Sequence, residues 1–151
     1  MLQVGQTAPD FVLKTTTGTS FRLSEARGRH IVLFFYPKDN TPGCTAEACA
    51  FRDEYQDFQD LGAEVIGISG DSEESHQKFT QKNRLPFPLL ADVDNEVRKL
   101  YEVPRAMLGL IPGRVTFVID KKGVIRYIFN SNSAATDHVS NTKKVLQELE
   151  R

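Results

Sequence analysis

The longest uninterrupted apolar run of the chain is His30-Ile31-Val32-Leu33-Phe34-Phe35-Tyr36, closed by Pro37. A β-rich run without polar alternation predicts a central strand covered on both faces. Downstream, Ala48, Phe51, Tyr55 and Phe58 recur at spacings of three, four and three before Gly62. That is the stripe of an amphipathic helix, and its backward extension reaches Cys44. Ala63 to Ser69 is a second buried strand, and the interval between the two strands accommodates a βαβ crossover with parallel pairing.

The remaining pattern surrounds this unit. Phe11 to Leu23 reads as two short strands about the turn signal Thr17-Gly18, a lid or an edge hairpin, joined to the central strand by the polar stretch Ser24 to Arg29. Ser72 to Asn83 predicts a polar-faced helix capped by Asp71 or Ser72, followed by Pro86 and Pro88 near the short apolar Leu89-Leu90. Asp94 to Tyr101 predicts a brief helix before Pro104. Val115 to Asp120 and Val124 to Phe129 flank Lys121-Lys122-Gly123 as an antiparallel hairpin, and Val139, Thr142, Leu146 and Leu149 mark a terminal helix with one buried face. In the loop Arg105 to Gly113, residues Met107, Leu108, Leu110 and Ile111 either pack inward or rim a pocket. This order predicts an α/β fold: a mixed sheet flanked by helices, close to the thioredoxin arrangement, with an N-terminal β-hairpin, built as a single domain over residues 1–151.

Composition narrows the function classes. A chain of 151 residues, 40% hydrophobic and 26% charged, closes one core and is too short for two ordinary domains. With 19 Lys plus Arg against 20 Asp plus Glu, the formal charge is -1, so no global field recruits nucleic acid or anionic lipid. No apolar run reaches bilayer length and the N-terminus lacks the basic and apolar regions of a signal peptide, which predicts a soluble protein with no membrane partner. Two cysteines and three histidines form neither a disulfide scaffold nor a zinc spacing, and this usage points to a cytoplasmic location.

Chemistry concentrates between Pro37 and Cys49. With Thr41 as N-cap, Pro42 takes the first helical position, Gly43 the second and Cys44 the third. Free N–H groups and the positive end of the helix dipole favour a thiolate there, which makes Cys44 the expected nucleophile at an exposed helix entrance. The competing reading is a small core residue, a stronger alternative for Cys49 than for Cys44. The two cysteines are separated by about 140° and about 7.5 Å on an ideal helix, placing their Cα atoms roughly 8 to 9 Å apart. A disulfide needs about 4.4 to 6.8 Å, so a Cys44–Cys49 redox couple requires the first turns to unwind.

Other candidates carry two readings each. Thr41 donates its hydroxyl to a bound oxygen or caps the helix, and Arg114 brings a positive fork to the thiolate or faces solvent. Pro37 excludes water from the pocket or simply turns the chain. Glu47 is expected on a solvated helix face, pairing with Lys38 or Arg52. His30 reads as surface or structural, and His76 and His138 have no local acid or thiol that specifies a metal ligand or triad. Gly67, Gly70 and Gly113 form no phosphate loop, so no nucleotide, flavin or metal cofactor is expected.

The ordered set Ala8-Pro9-Asp10-Phe11, Phe35-Tyr36-Pro37, Thr41-Pro42-Gly43-Cys44-Thr45, Glu47-Ala48-Cys49, Phe51-Arg52-Asp53, Val65 to Ser69 and Pro112 to Asp120 resembles the peroxiredoxins, and among them the bacterioferritin comigratory protein or peroxiredoxin Q group. The resemblance spans nearly the whole chain. It implies a thiol peroxidase that reduces hydrogen peroxide or an alkyl hydroperoxide without haem or metal. Cys44 then corresponds to the peroxidatic cysteine and Cys49 to the resolving cysteine. Thr41 and Arg114 correspond to the groups that orient peroxide, and Pro37 shields the pocket. The resemblance further implies an intramolecular disulfide as the oxidised state, thioredoxin or a related dithiol as reductant, and a monomer. Two readings compete with it: a disulfide carrier without peroxide chemistry, and a noncatalytic interaction module.

Overall fold

The computed structural model describes residues 2–106, 108–132 and 135–150. Its centre is β3 (His30–Phe35), buried along its whole length as the unbroken apolar run requires. Alternate side chains enter two cores. Leu33 and Phe35 join Phe11, Tyr101 and Phe117 on one face, while Val32 and Phe34 join Phe51, Phe58 and Leu146 on the other. This is the period-two geometry of a strand with no wet face.

From β3 the chain runs through α1 (Pro42–Asp53) and α2 (Tyr55–Asp60) into β4 (Ala63–Ser69), which pairs in parallel with β3 from His30↔Ala63 to Phe35↔Ile68. The single helix expected from the Ala48 to Phe58 stripe is two helices. Glu54 leaves helical geometry at φ -108°, ψ 11° and closes α1 with its own N–H. The stripe survives the break because Phe51 and Phe58 still meet, with ring centroids 5.6 Å apart.

The expected capped helix is α3 (Glu73–Asn83), with the Ser72 side chain accepting from the Ser75 N–H. The apolar Leu89-Leu90 pair lies in β5 (Leu89–Ala91), parallel to β4, and the brief helix is α4 (Glu96–Leu100). The N-terminal hairpin, β1 (Val12–Thr15) and β2 (Ser20–Arg22), joins the sheet antiparallel to β5 and forms its edge. A short hairpin, β6 (Arg105–Ala106) and β7 (Ile111–Pro112), stands apart. The chain then returns through β8 (Val115–Ile119), antiparallel to β3, and β9 (Ile125–Asn130), and ends in α5 (Asp137–Leu149).

The main sheet has seven strands in the order β2-β1-β5-β4-β3-β8-β9. Helices α1, α2, α3 and α5 supply Phe51, Phe58, Phe79 and Leu146 to one core, and α4 supplies Val97 to the other. The result is the thioredoxin-like mixed sheet with an N-terminal β-hairpin read from the sequence pattern. It puts the carboxyl end of β3, the N-terminus of α1 and the start of β8 at one end of the sheet. Among the described residues no helix is long and apolar enough to cross a membrane.

The loop between β6 and β7 resolves one open alternative. Leu108 and Leu110 point to solvent, Ile111 is 39% exposed, and Ile111 and Pro112 line an adjoining cleft. Met107 lies outside the described residues.

Candidate active site

At the carboxyl end of β3 the chain turns through Pro37 into α1, with Thr41 as N-cap and Pro42 at the first helical position. The first helical bond runs from the Thr45 N–H to the Thr41 carbonyl at 2.9 Å. The N–H groups of Gly43 and Cys44 therefore precede the helical ladder, and both residues line the cleft. An open cleft of about 710 Å³ is bounded here by Pro37, Thr41, Gly43 and Cys44 on one side and by Ile111, Pro112 and Arg114 on the other.

Cys44 does not stand at an exposed entrance. It is 1% exposed, packed with Ala48 and Phe51 on the buried stripe of α1 while touching the cleft floor. What distinguishes it from an inert core thiol is Arg114, whose Nη2 donates to the Cys44 sulfur at 3.3 Å. Gly43 makes that approach possible, since a Cβ there would stand 3.1 Å from Nη2. Arg114 is itself buried and faces the site, not solvent. Its N–H donates to Asn132 Oδ1 at 2.8 Å, and its carbonyl accepts from the Ser131 N–H at 3.2 Å. Before it, Gly113 packs so tightly on the Pro104 carbonyl that any side chain would collide with it.

Thr41 lines the cleft but makes no side-chain cap. Its hydroxyl donates to the Lys38 carbonyl at 2.9 Å. The threonine oxygen is left with lone pairs, as an acceptor, toward the cleft. Pro37 lines the same wall. Cys49, on a different face of α1, is half-buried and free; its thiol donates to Asn83 Oδ1 at 3.7 Å. Thus Pro37, Thr41, Cys44 and Arg114 come together around one cleft, and Cys49 stands apart within the intact helix.

Glu47 corrects the expectation of a solvated face. It is fully buried, and its Oε1 accepts from Arg114 Nη1 at 2.7 Å. Sequence reasoning sought its partner among Lys38 and Arg52, whereas the fold supplies one 67 residues away. The signal was present in the spacing: Glu47 lies three residues after Cys44, on the same buried stripe, where a charge demands a partner. Burial pushes the Glu47 carboxyl up to about 8, against the pull of Arg114. Behind it, His138 Nε2 donates to the Ser131 carbonyl at 2.8 Å, leaving Nδ1 to accept from the Thr116 hydroxyl at 2.7 Å. Nδ1 is 3.6 Å from Glu47 Oε2. Burial pushes this imidazole down to about 4, so it is neutral at physiological pH.

Two further groups were missed. Continuing the β8–β9 register, in which Val115 faces Asn130, one step outward on each strand brings Ser131 opposite Arg114 and Asn132 next to it. Arg98 gave no motif signal, yet its guanidinium donates to the carbonyls of Tyr36 and Gly113, each at 2.7 Å.

The fold also gathers Asp39, Asp71 and His76 within 4.8 Å. Their polar atoms are engaged with one another and with neighbours. Asp39 accepts from the Tyr36 hydroxyl at 2.6 Å and from the Ser75 hydroxyl at 2.8 Å, and Asp71 accepts from the Asp39 N–H and the Ser69 hydroxyl. We read this cluster as a buried brace between the Pro37–Thr41 loop and α3. His30, also buried, pairs with Glu150 and is structural.

Comparison with known proteins converges on one group. The AhpC/TSA family model matches residues 4–128. Chloroplastic peroxiredoxin Q of Oryza sativa subsp. japonica is 50% identical over 145 residues, covering 96% of this chain and 67% of that protein. Its counterpart in Arabidopsis thaliana is 50% identical over 143 residues, covering 95% and 66%. The crystal structure of peroxidoxin BcpB from Mycobacterium tuberculosis superposes with a TM-score of 0.90 at 36% identity, over 99% of each chain. The bacterioferritin comigratory protein of Xanthomonas campestris, solved for insight into its alkyl peroxide reduction, gives a TM-score of 0.86 at 29% identity over 93% and 92%. These relatives correct the cytoplasmic location expected from cysteine usage and the N-terminus: the rice and Arabidopsis proteins are chloroplastic. Two free cysteines are compatible with more than one compartment.

Proposed function

The chain belongs to the AhpC/TSA family and, within it, to the peroxiredoxin Q group, with peroxiredoxin-type peroxidase activity, and from that premise we propose that it is a two-cysteine thiol peroxidase in which Cys44 attacks the peroxide and Cys49 resolves the product. The observation that carries this reading is the Arg114 Nη2 contact with the Cys44 sulfur, 3.3 Å, at the third position of α1.

The Cys44 thiolate attacks the terminal oxygen of a hydroperoxide in line with the O–O bond, which breaks as the S–O bond forms. Negative charge moves onto the leaving oxygen, where the Arg114 fork and the N–H groups opening α1 stabilise it until it takes a proton and leaves as water or an alcohol. With its own proton committed to Lys38, the Thr41 hydroxyl accepts from the hydroperoxide O–H and orients it. Pro37 and the packing around Cys44 keep bulk water from the sulfur. Hydrogen peroxide fits the cleft, and an alkyl hydroperoxide lays its tail along Ile111 and Pro112.

Cys44 is then a sulfenic acid. Both cysteines lie in the continuous helix α1, too far apart to bond, so the first turns unwind and the Cys49 thiol condenses with the sulfenic acid, releasing water and forming the disulfide. A reducing dithiol, thioredoxin or a relative, restores both thiols by exchange. The enzyme works without a metal or organic cofactor, as a single-domain monomer.

Anaerobic reduction followed by one equivalent of peroxide tests the cycle by intact mass and peptide mapping. The expected product loses two hydrogens and links Cys44 to Cys49, Cys49→Ser retains a sulfenic adduct at Cys44, and a thioredoxin system reverses the disulfide. Peroxide consumption that survives Cys44→Ser overturns the proposal.

A further inference from the structure

Behind the cleft lies a buried cation that the reaction as written does not use. Arg98, on α4, is 4% exposed. Its Nη2 donates to the carbonyl of Tyr36, the residue before Pro37, and its Nη1 to the carbonyl of Gly113, the residue before Arg114. One guanidinium therefore ties together the chain ends that carry two walls of the cleft. Its Cζ lies 5.7 Å from the centre of the Phe35 ring, which faces it with π density.

Asp92 keeps its charge while accepting from the backbone N–H groups of Val97 and Arg98 at 3.1 and 2.9 Å, and it acts on the Arg98 guanidinium through its field and not through an ion pair. Among the described residues no ion pair involves the Arg98 guanidinium. A buried cation whose direct hydrogen bonds go to carbonyls is costly relative to an apolar filler of similar size, which asks what the charge is for. Burial lowers the Arg98 pKa to about 10, leaving the group charged at neutral pH; the fields of Asp92 and Cys44 favour its charge and that of Arg105 opposes it. Arg114, by contrast, has a carboxyl in direct contact, Glu47 Oε1 at 2.7 Å from Nη1.

We propose that Arg98 is a positioning residue of the peroxide site and a counter-charge of the Cys44 thiolate, fixing the separation of Pro37 and Arg114 while adding its positive potential to that of Arg114. The inference rests on Cys44 as the nucleophile. Around that sulfur the other charged groups are Arg114 on β8's leading edge, Glu47 on α1, and Lys38 and Asp71 at the cleft; of these, only Arg114 forms a hydrogen bond to it.

The test uses the full chain in a Cys49→Ser background with Arg98→Met and Arg98→Lys, reading iodoacetamide alkylation of Cys44 against pH and single-turnover consumption of hydrogen peroxide. Arg98→Met is expected to slow alkylation at neutral pH about tenfold, to move half-maximal alkylation upward in pH, and to slow peroxide reduction at least as much. Arg98→Lys keeps the charge and is expected to restore the alkylation profile, yet peroxide reduction stays slow because one ammonium on a flexible stem does not hold both carbonyls in a planar fork. An alkylation profile unmoved by Arg98→Met, or a lysine variant whose profile matches that of methionine, overturns the proposal. Should Arg98→Met not fold, Arg98→Gln, which removes the charge and keeps a donor for the carbonyls, is read in its place: half-maximal alkylation moves up in pH, and a downward shift or none overturns the proposal. If the parent consumes no peroxide while the Arg98 variants still move alkylation, the peroxidase reading fails and the counter-charge stands.

Discussion

Cys44 and Arg114, 70 residues apart in sequence, meet at 3.3 Å from sulfur to Nη2, and the other arm of the same fork is pinned by Glu47 at 2.7 Å. A planar guanidinium serves both contacts at once; an ammonium serves one. Arg114→Lys is therefore expected to lose about 100-fold or more in kcat/KM for peroxide, the range for removing a preorganised donor from developing charge. Steady-state rates at low peroxide check this, and a loss under tenfold would show the fork to be dispensable.

Stability should depend on pH through two buried groups with opposite signs. Glu47 is pushed by burial from 4.5 up to about 8, so its contribution is full below about 4.5 and is lost as pH rises through 8. His138 is pushed by burial from 6.5 down to about 4, so its contribution is full above 6.5 and is lost as pH falls through 4. Their slopes oppose each other between 4.5 and 6.5, and Glu47 alone drives a decline from 6.5 toward 8. Glu47→Gln keeps an acceptor for Arg114 and is expected to flatten that decline. Urea midpoints of both proteins at the two ends of the interval measure it.

The strands and helices that frame the site were legible because each is a strong periodic signal: an unbroken apolar β3, a capped α3, a hairpin about Lys121-Lys122-Gly123. The break at Glu54 was not, since the buried stripe runs through it from Phe51 to Phe58 and periodicity alone does not register a single residue leaving helical geometry. That Pro37, Thr41 and Cys44 share one wall of a cleft was legible from local order, because the segment carrying them is contiguous, whereas the burial of Cys44 was not. Arg114 was a candidate only, and Glu47 was misassigned to solvent, because their pairing depends on β8 lying antiparallel beside β3. Arg98 escaped notice for the same reason. Its partners are backbone carbonyls on two other elements, and no spacing in the sequence encodes them.

Asn83, the last residue of α3, holds the Cys49 face of α1 twice: its Oδ1 accepts from the Cys49 thiol at 3.7 Å and its carbonyl accepts from Arg52 Nη1 at 2.7 Å. Unwinding of α1 breaks both contacts. Asn83→Ala removes the first, worth about 0.5 kcal/mol to the closed state, while the Asn83 side-chain bond to the Phe79 carbonyl lies within α3 and does not change when α1 opens. The opened state should become about twofold more populated, given RT at room temperature. Under graded peroxide the expected outcome is less Cys44 sulfinic acid and more disulfide than in the parent, by peptide mass spectrometry; more sulfinic acid would contradict it.

Gly43 separates activity from stability. It sits in the first turn of α1, where an alanine would ordinarily stabilise by up to about 1 kcal/mol by restricting the unfolded chain. The added Cβ would stand 3.1 Å from Arg114 Nη2, closer than a comfortable contact. The guanidinium has little freedom to yield, because the neighbouring Nη1 is held by Glu47 and the Arg114 backbone is held by Asn132 and Ser131. A shift of a few tenths of an ångström at Nη2 is taken up where the fork is weakest, at the long contact with sulfur. Gly43→Ala is therefore expected to keep or slightly raise the unfolding midpoint while slowing peroxide reduction about tenfold, a cost near 1.4 kcal/mol in the transition state. Thermal unfolding and single-turnover peroxide kinetics on the same preparation decide it: a variant as fast as the parent would mean that Arg114 reaches the reacting atoms by a route other than past Gly43.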